Sequence, residues 1–219
     1  MFALSIDTST SFLSLALQID TKQDLVHVAA EQKHAELIFP TLKELLVKHD
    51  IQLNQLDLIT YAQGPGSFTG LRIGAGVAQG LSLAHDTPLV AVPTLDVLSS
   101  LAPKHEQVLC AIDARMGEVF FAWYDTKNQK KLSDYQVGKP DSITLPMPCQ
   151  SAMGIGNAFA VYDHLPVKGM VTMPTAADFL PLALSGNYPQ LKAQEAELLY
   201  VRNKIALTAT EQAQRKAQK

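Results

Sequence analysis

Hydrophobic positions in the first hundred residues switch between two periods, and the switching predicts an α/β chain. Phe2-Ala-Leu-Ser-Ile6 and Phe12-Leu-Ser-Leu-Ala-Leu-Gln-Ile19 are short apolar runs divided by the polar turn Asp7-Thr-Ser-Thr-Ser11. That pattern reads as a hairpin. A third strand is expected over 25–30. Ile38, Leu42, Leu45 and His49 then recur at helical spacing, so a helix is expected over 35–49. Pro40 lies inside it and removes a backbone donor, which predicts a late start or a bend. A strand over 58–63, a glycine-rich turn at 64–67, a helix over 69–85, a strand over 88–92 and a short helix over 95–101 follow.

The second half opens in the same way. Val108-Leu-Cys-Ala-Ile-Asp113, the turn Ala114-Arg-Met-Gly117 and Glu118-Val-Phe-Phe-Ala-Trp-Tyr124 again read as strand, turn and strand. Leu4-Ser-Ile-Asp7 and Ala111-Ile-Asp113 each end a strand in aspartate at the head of a hairpin. Two units are expected, 1–103 and 104–219, divided near Pro103. Residues 139–190 are rich in proline and glycine, with a helix expected over 176–185. The polar, alanine-rich stretch 208–219 is expected to fray.

Composition narrows the class without naming a function. At 219 residues, 47% hydrophobic and 18% charged, the chain can build a full core without a disulfide or metal staple. Its formal charge of −3 gives no global attraction to nucleic acid or anionic membranes. Cys110 and Cys149 form no Cys-x-x-Cys motif. Asp7 arrives before a signal-peptide core could form. The longest uncharged stretch, 142–162, holds Pro146, Pro148, Gln150 and Asn157. A cytoplasmic chain without a membrane segment is expected.

The candidate chemistry is concentrated in a few places. Gly64-Pro-Gly-Ser-Phe-Thr-Gly-Leu-Arg-Ile-Gly74 stands at a strand-to-helix turn, where backbone N–H groups can receive an anion. It lacks the lysine and hydroxyl residue of a P-loop, and its spacing is wrong for a nucleophile elbow. A tight turn with a helix cap is the plainer reading. The following helix carries Gly70, Gly74, Gly76 and Gly80, each costing about 1 kcal/mol relative to alanine. Such a cost asks for close approach of another backbone. Leu71, Ile73, Val77, Leu81 and Leu83 make the helix apolar nearly all round, so it is buried in its own core or meets a partner chain. The histidines at 27, 34, 49, 85, 105 and 164 offer no paired spacing for a metal. Asp7 and Asp113 suit either a metal-bound nucleotide phosphate or a turn cap. Arg115 and Glu118 flank the second turn as a usable contact or a solvated pair.

Leu4-Ser-Ile-Asp-Thr-Ser-Thr10, the glycine segment 64–74, Ile112-Asp-Ala-Arg-Met-Gly-Glu118 and Leu199-Tyr-Val-Arg-Asn203 together resemble the bacterial TsaB (YeaZ) family of tRNA threonylcarbamoyladenosine biosynthesis. The resemblance implies two actin-like (ASKHA, ribonuclease H-like) subdomains with mixed sheets flanked by helices. It implies a non-catalytic subunit that binds and activates TsaD, the enzyme that transfers threonylcarbamoyl to N6 of adenosine 37 in tRNAs decoding ANN codons. Where TsaD carries two metal-binding histidines, this sequence has Thr94 and Leu98. The implied partner surface is the pair of helices 35–49 and 69–85, through Ile38, Leu42, Leu45, His49, Gly70, Arg72, Gly74, Val77 and Leu81. A charge at Gly74 or Val77 is accordingly expected to weaken pairing more than folding. TsaD as heterodimer partner, TsaE as third protein, a homodimer in isolation and tRNA reached through the complex are also implied. Asp7, Thr8, Asp113, Arg115 and Glu118 are the candidate third-partner or nucleotide contacts. No cofactor is required on this reading, with ATP or ADP at the complex interface as the candidate nucleotide. The competing expectation from the same fold is a nucleotide-dependent phosphotransferase using Asp7 and Asp113.

Overall fold

The computed structural model describes residues 1–148 and 151–201. Its first sheet is built from β1 (Phe2–Asp7), β2 (Phe12–Ile19), β3 (Lys22–Ala29), β4 (Leu58–Gly64) and β5 (Leu89–Pro93), in the order β3-β2-β1-β4-β5. The first three strands form an antiparallel meander, and β4 and β5 run parallel to β1. Helices α1 (His34–Lys48) and α2 (Phe68–His85) supply the parallel crossover connections' side of the fold and cover one face. Strand alternation decides what they meet: Leu4 and Ile6 turn toward these helices, whereas Ala3 turns to the opposite face. Pro40 lies inside α1 rather than before it, so the helix begins at the expected place and carries the proline.

The second sheet repeats the plan. Strands β6 (Val108–Asp113) and β7 (Val119–Asp125) form the antiparallel hairpin. The short β8 (Lys130–Lys131) and β9 (Gln136–Gly138) pair with β7, while β10 (Met153–Ile155) and β11 (Gly169–Met170) extend the sheet in parallel from β6. Asp7 and Asp113 therefore end equivalent strands, the one repeat that the sequence displays.

Between the sheets lies α3 (Thr94–Ser100). Its Leu95 and Leu98 enter the core of the second sheet, and Val97 enters the core of the first. The expected division at Pro103 separates the two sheets but not the two cores. Helix α4 (Ala176–Ala183) packs Phe179 and Leu180 against Val90 and Val92 of the first sheet. Residues 189–201 continue as a strap on the same unit. Leu191 exchanges backbone hydrogen bonds with Leu89, Gln79 Nε2 donates to Ala193 O and Ala196 O, and Leu199 N donates to Gln63 O. The described chain from α4 to the strap thus packs on the first unit, α4 on the Ala3 face and Leu191 and Ala196 of the strap against the Leu4 and Ile6 core. The expected fraying over 208–219 lies outside the described residues, as do Arg202 and Asn203.

The four α2 glycines divide into two pairs. A Cβ on Gly70 would overlap Thr8 O, and one on Gly74 would overlap Thr8 Oγ1; around Gly76 and Gly80 there is open space. Replacing Gly74 by alanine is expected to destabilise by about 1–3 kcal/mol through overpacking. Gly80→Ala should be neutral or gain up to about 1 kcal/mol from helix propensity. Thermal melts of the two variants beside the parent check this, and a Gly74→Ala protein as stable as the parent would contradict it.

Candidate functional site

The turn after β1 and the start of α2 are locked together. Thr8 Oγ1 donates to Gly70 O at 2.7 Å, and Ser67 N donates to Ser9 O at 2.7 Å. Ser67 caps α2 by accepting from Gly70 N at 3.3 Å. A Cβ on Gly66 would stand 2.6 Å from Ser9 O. The glycine-rich segment is consequently packed against its own chain: Gly66, Gly70 and Gly74 admit Thr8 and Ser9, and the N–H groups of Ser67, Gly70 and Leu71 donate to Ser9 O, Ser67 Oγ and Ser67 O. This close packing accounts for the three glycines.

Asp7 is 2% exposed, and its Oδ1 accepts from Ser9 N at 2.8 Å. Burial pushes its carboxyl up to about 6; the Ser9 hydrogen bonds oppose that rise and the Asp178 charge adds to it. Of the expected nucleotide or third-partner contacts, Asp7 and Thr8 are both buried beneath the start of α2. Asp113 is placed differently. Its Oδ1 accepts from Arg115 N at 2.9 Å and from Tyr162 OH at 2.8 Å, while its own N–H donates to Asn157 Oδ1 at 2.9 Å. These bonds hold Arg115, Met116 and Gly117 in succession at positive φ, a backbone region where ordinary side chains are strained. The Arg115 side chain is 87% exposed at the tip, with Nη1 3.4 Å from Asp113 Oδ2. Glu118 O closes the turn by accepting from Ala114 N.

A cleft of about 980 Å³ separates the two hairpins. Ser9 to Phe12 and Pro65 to Phe68 line one wall, and Asp113 to Arg115, Phe120 and Asn157 line the other. Leu198 to Val201 of the strap complete the lining. Phe12 is stacked on His27 at 4.5 Å between ring centroids.

A second concavity of about 530 Å³ runs between α1 and α2. Phe39, 57% exposed, stands on one side, and Arg72, Ile73, Gly76 and Gly80 form the other. Ile38, Val77 and Leu81 make the floor, their side chains shared with the core. Leu42 and Leu45 are core residues, and His49 Nε2 meets Asp24 Oδ2 at 2.6 Å beside Lys48. Gly70 and Gly74 face Thr8. Of the nine expected partner residues, Ile38, Arg72, Val77 and Leu81 therefore line the groove, and Leu42, Leu45, His49, Gly70 and Gly74 do not. Phe39, Ile73, Gly76 and Gly80 also line the groove and are absent from the expected set. The signal for three of them was present: Ile73, Gly76 and Gly80 recur at helical spacing on the outward side of α2, continuing to Leu83, 72% exposed. Arg72 lies over the Phe68 ring at 3.3 Å and within 5.4 Å of the Tyr200 ring, so it joins groove and cleft.

Residues 21–213 match the family model described as TsaD: tRNA N6-adenosine threonylcarbamoyltransferase. A tRNA threonylcarbamoyladenosine biosynthesis protein TsaB from Haemophilus influenzae is 32% identical over 92% of this chain and 94% of its own. TsaB from Escherichia coli K12 is 32% identical over 94% and 96%. The chain belongs to the TsaB family. Its backbone agrees: YeaZ from Pseudomonas aeruginosa superposes with a TM-score of 0.79 at 30% identity, covering 91% of this chain and all of that one. A further Pseudomonas aeruginosa structure, described as similar to peptidase YEAZ, gives 0.81 at 30% identity over 92% and 99%.

In this TsaB chain the two sheets and their flanking helices form the actin-like α/β fold that the resemblance implied. Thr94 and Leu98 are both fully buried in α3. Among the described residues no three His, Cys, Asp or Glu side chains converge as a metal site would need, and no helix is long and apolar enough to cross a membrane.

The buried Asp7 gives a pH test of the TsaB fold. The folded chain holds the Asp7 proton more tightly than the unfolded chain, whose carboxyl titrates near 3.8. Stability from this group is full below about 3.8 and declines as pH rises to about 6. Asp7→Asn keeps an acceptor for Ser9 N and removes the decline. Its stability advantage over the parent should grow by about 1–3 kcal/mol between pH 4 and 7. Denaturant titrations across that range check it; an advantage that stays flat with pH would refute it.

Proposed function

We propose that the chain is the non-catalytic subunit that binds and activates TsaD during threonylcarbamoyl transfer to N6 of adenosine 37 in tRNAs decoding ANN codons. The observation that carries this reading is the groove between α1 and α2. A surface helix ordinarily turns a polar face to water. The outward side of α2 instead presents Ile73, Gly76 and Gly80 to the groove opposite Phe39, and exposes Leu83 further along the helix. Two helix glycines with nothing beside them bear a propensity cost that this chain's own packing does not explain. Close approach of a partner's helix would offset it.

On this reading TsaD occupies the groove in the working complex, and a second copy occupies it when the chain is alone. The hairpin tip at Arg115 is the proposed contact for TsaE, with Asp113 fixing its shape and Glu118 closing it. ATP or ADP would be held at the complex interface, tRNA would be reached through the complex, and the setting is the cytoplasm. Buried Thr94 and Leu98 favour a non-catalytic role, since neither ligates a metal as histidine does. The phosphotransferase alternative is disfavoured by the inward Asp7 and the filled glycine segment.

Reconstituted tRNA modification tests the function. With TsaD, TsaE, threonylcarbamoyl-AMP, ATP and tRNA, modified adenosine is expected only when this chain is added. The chain with tRNA and threonylcarbamoyl-AMP alone should give none. Modification by the chain alone, or full activity without it, would overturn the reading.

The groove has its own test. Gly80→Glu should leave the melting temperature within a few degrees of the parent while weakening TsaD binding by tenfold or more, about 1.4 kcal/mol. Gly74, against Thr8, is the wrong site for that experiment, since any side chain there damages the fold first. Binding measured by calorimetry that Gly80→Glu leaves intact would move the interface elsewhere.

A further inference from the structure

Helix α3 lies against both sheets, and one of its side chains is shared by segments from each. Asp96 Oδ1 accepts from Tyr124 OH at 2.6 Å and from Tyr135 OH at 2.8 Å. Its Oδ2 accepts from Tyr188 OH at 2.9 Å. Tyr124 belongs to β7 and Tyr135 precedes β9, so both travel with the second sheet. Tyr188 follows α4 and packs on the apolar cluster of the first sheet. Among the described residues no basic side chain forms an ion pair with Asp96.

Apolar contacts on the two sides of α3 hold the sheets together without directing them, because hydrophobic attraction has no preferred angle. Hydrogen bonds from rigid phenols to a carboxylate are directional and charge-assisted. Burial, followed by the Asp96 charge, pushes the hydroxyls of Tyr124, Tyr135 and Tyr188 well up, so all three remain donors.

We infer that Asp96 and these three tyrosines form a clasp that fixes the angle between the two sheets, and with it the aperture of the cleft. The cleft wall from Ser9 to Phe12 moves with the first sheet, and the wall from Asp113 to Phe120 moves with the second. Any rotation between the sheets changes their separation. Asp96 is a positioning residue here: it does not line the cleft but sets how wide the cleft stands. This inference is independent of whether TsaD occupies the groove.

The test is a distance distribution between spin labels on Lys43→Cys in α1 and Lys139→Cys after β9, both exposed. The full chain would carry Cys149→Ser and be diluted with unlabelled protein, so that only distances within one molecule are read. Asp96→Ala should broaden and shift the distribution while circular dichroism retains both sheets. Asp96→Asn keeps one acceptor oxygen and gains an amide that donates to a phenol oxygen, so it retains neutral hydrogen bonds toward both sheets. It should therefore broaden the distribution least, Asp96→Ala most, and Tyr188→Phe, which removes the first-sheet bond, should fall between them. If Asp96→Ala does not fold, Tyr188→Phe decides, because it removes a single bond on the first-sheet side. Unchanged distances in Tyr188→Phe, with only a lower melting temperature, would overturn the clasp and leave the cluster as a contributor to stability alone.

Discussion

The seating of α2 on the turn after β1 is the constraint on which the rest of the first unit depends. Thr8 reaches the helix only because Gly70 and Gly74 have no side chains, and its hydroxyl then fixes the contact on Gly70 O. Helical phase does the rest. With those two glycines turned inward, Gly76 and Gly80 point away from the sheet and form the groove wall beside α1. One helix thus spends its small residues in two directions, on its own chain near the start and on the outside further along. The same seating engages the Ser67 N–H with Ser9 O, while Ser67 Oγ caps the Gly70 N–H, so part of the helix's N-terminal donor set is spent on the chain itself.

The two sheets share a plan but not a level of cover. Helices clothe both faces of the first, whereas the second is covered on its far side by Ile143 and the short 157–160 turn. α3 serves both, with Leu95 and Leu98 on one side and Val97 on the other. Asp113 keeps the repeated strand end but not the repeated environment. At Asp7 the following turn is pressed under a helix, while at Asp113 no α-helix among the described residues stands over the turn and Arg115 projects into water. The same residue at the same strand end is sealed off in one copy and lines a cleft in the other.

Much of this was legible in the sequence, for identifiable reasons. Period-two and period-3.6 patterns located the four helices of the described residues within two residues at each end, and the aspartate repeat marked both hairpins. The cost of four glycines announced a close approach, though not which pair approached what, since that depends on where α2 sits relative to Thr8. Leu42 and Leu45 looked like interface residues because a helix's apolar stripe reads the same whether it faces its own sheet or a neighbour. The strap was invisible because its acceptors are the carbonyls of Ala193, Ala196 and Glu197, which carry no side-chain signature. The Asp96 cluster was equally hidden, its tyrosines standing 28, 39 and 92 positions from the aspartate.

The return of α4 to the first sheet bears on how the molecule is made. As the chain leaves the ribosome, β1 to β5 and the two outer helices emerge first, with Val90, Val92 and Ala3 on a face whose cover is still to be synthesised. Phe179 and Leu180 arrive some eighty residues later, after the whole second hairpin. Vectorial folding cannot finish the first unit before beginning the second, as it does in chains whose domains are contiguous. The nascent chain must carry an unfinished apolar surface from the completion of β5 at Pro93 until α4 has been made at Ala183.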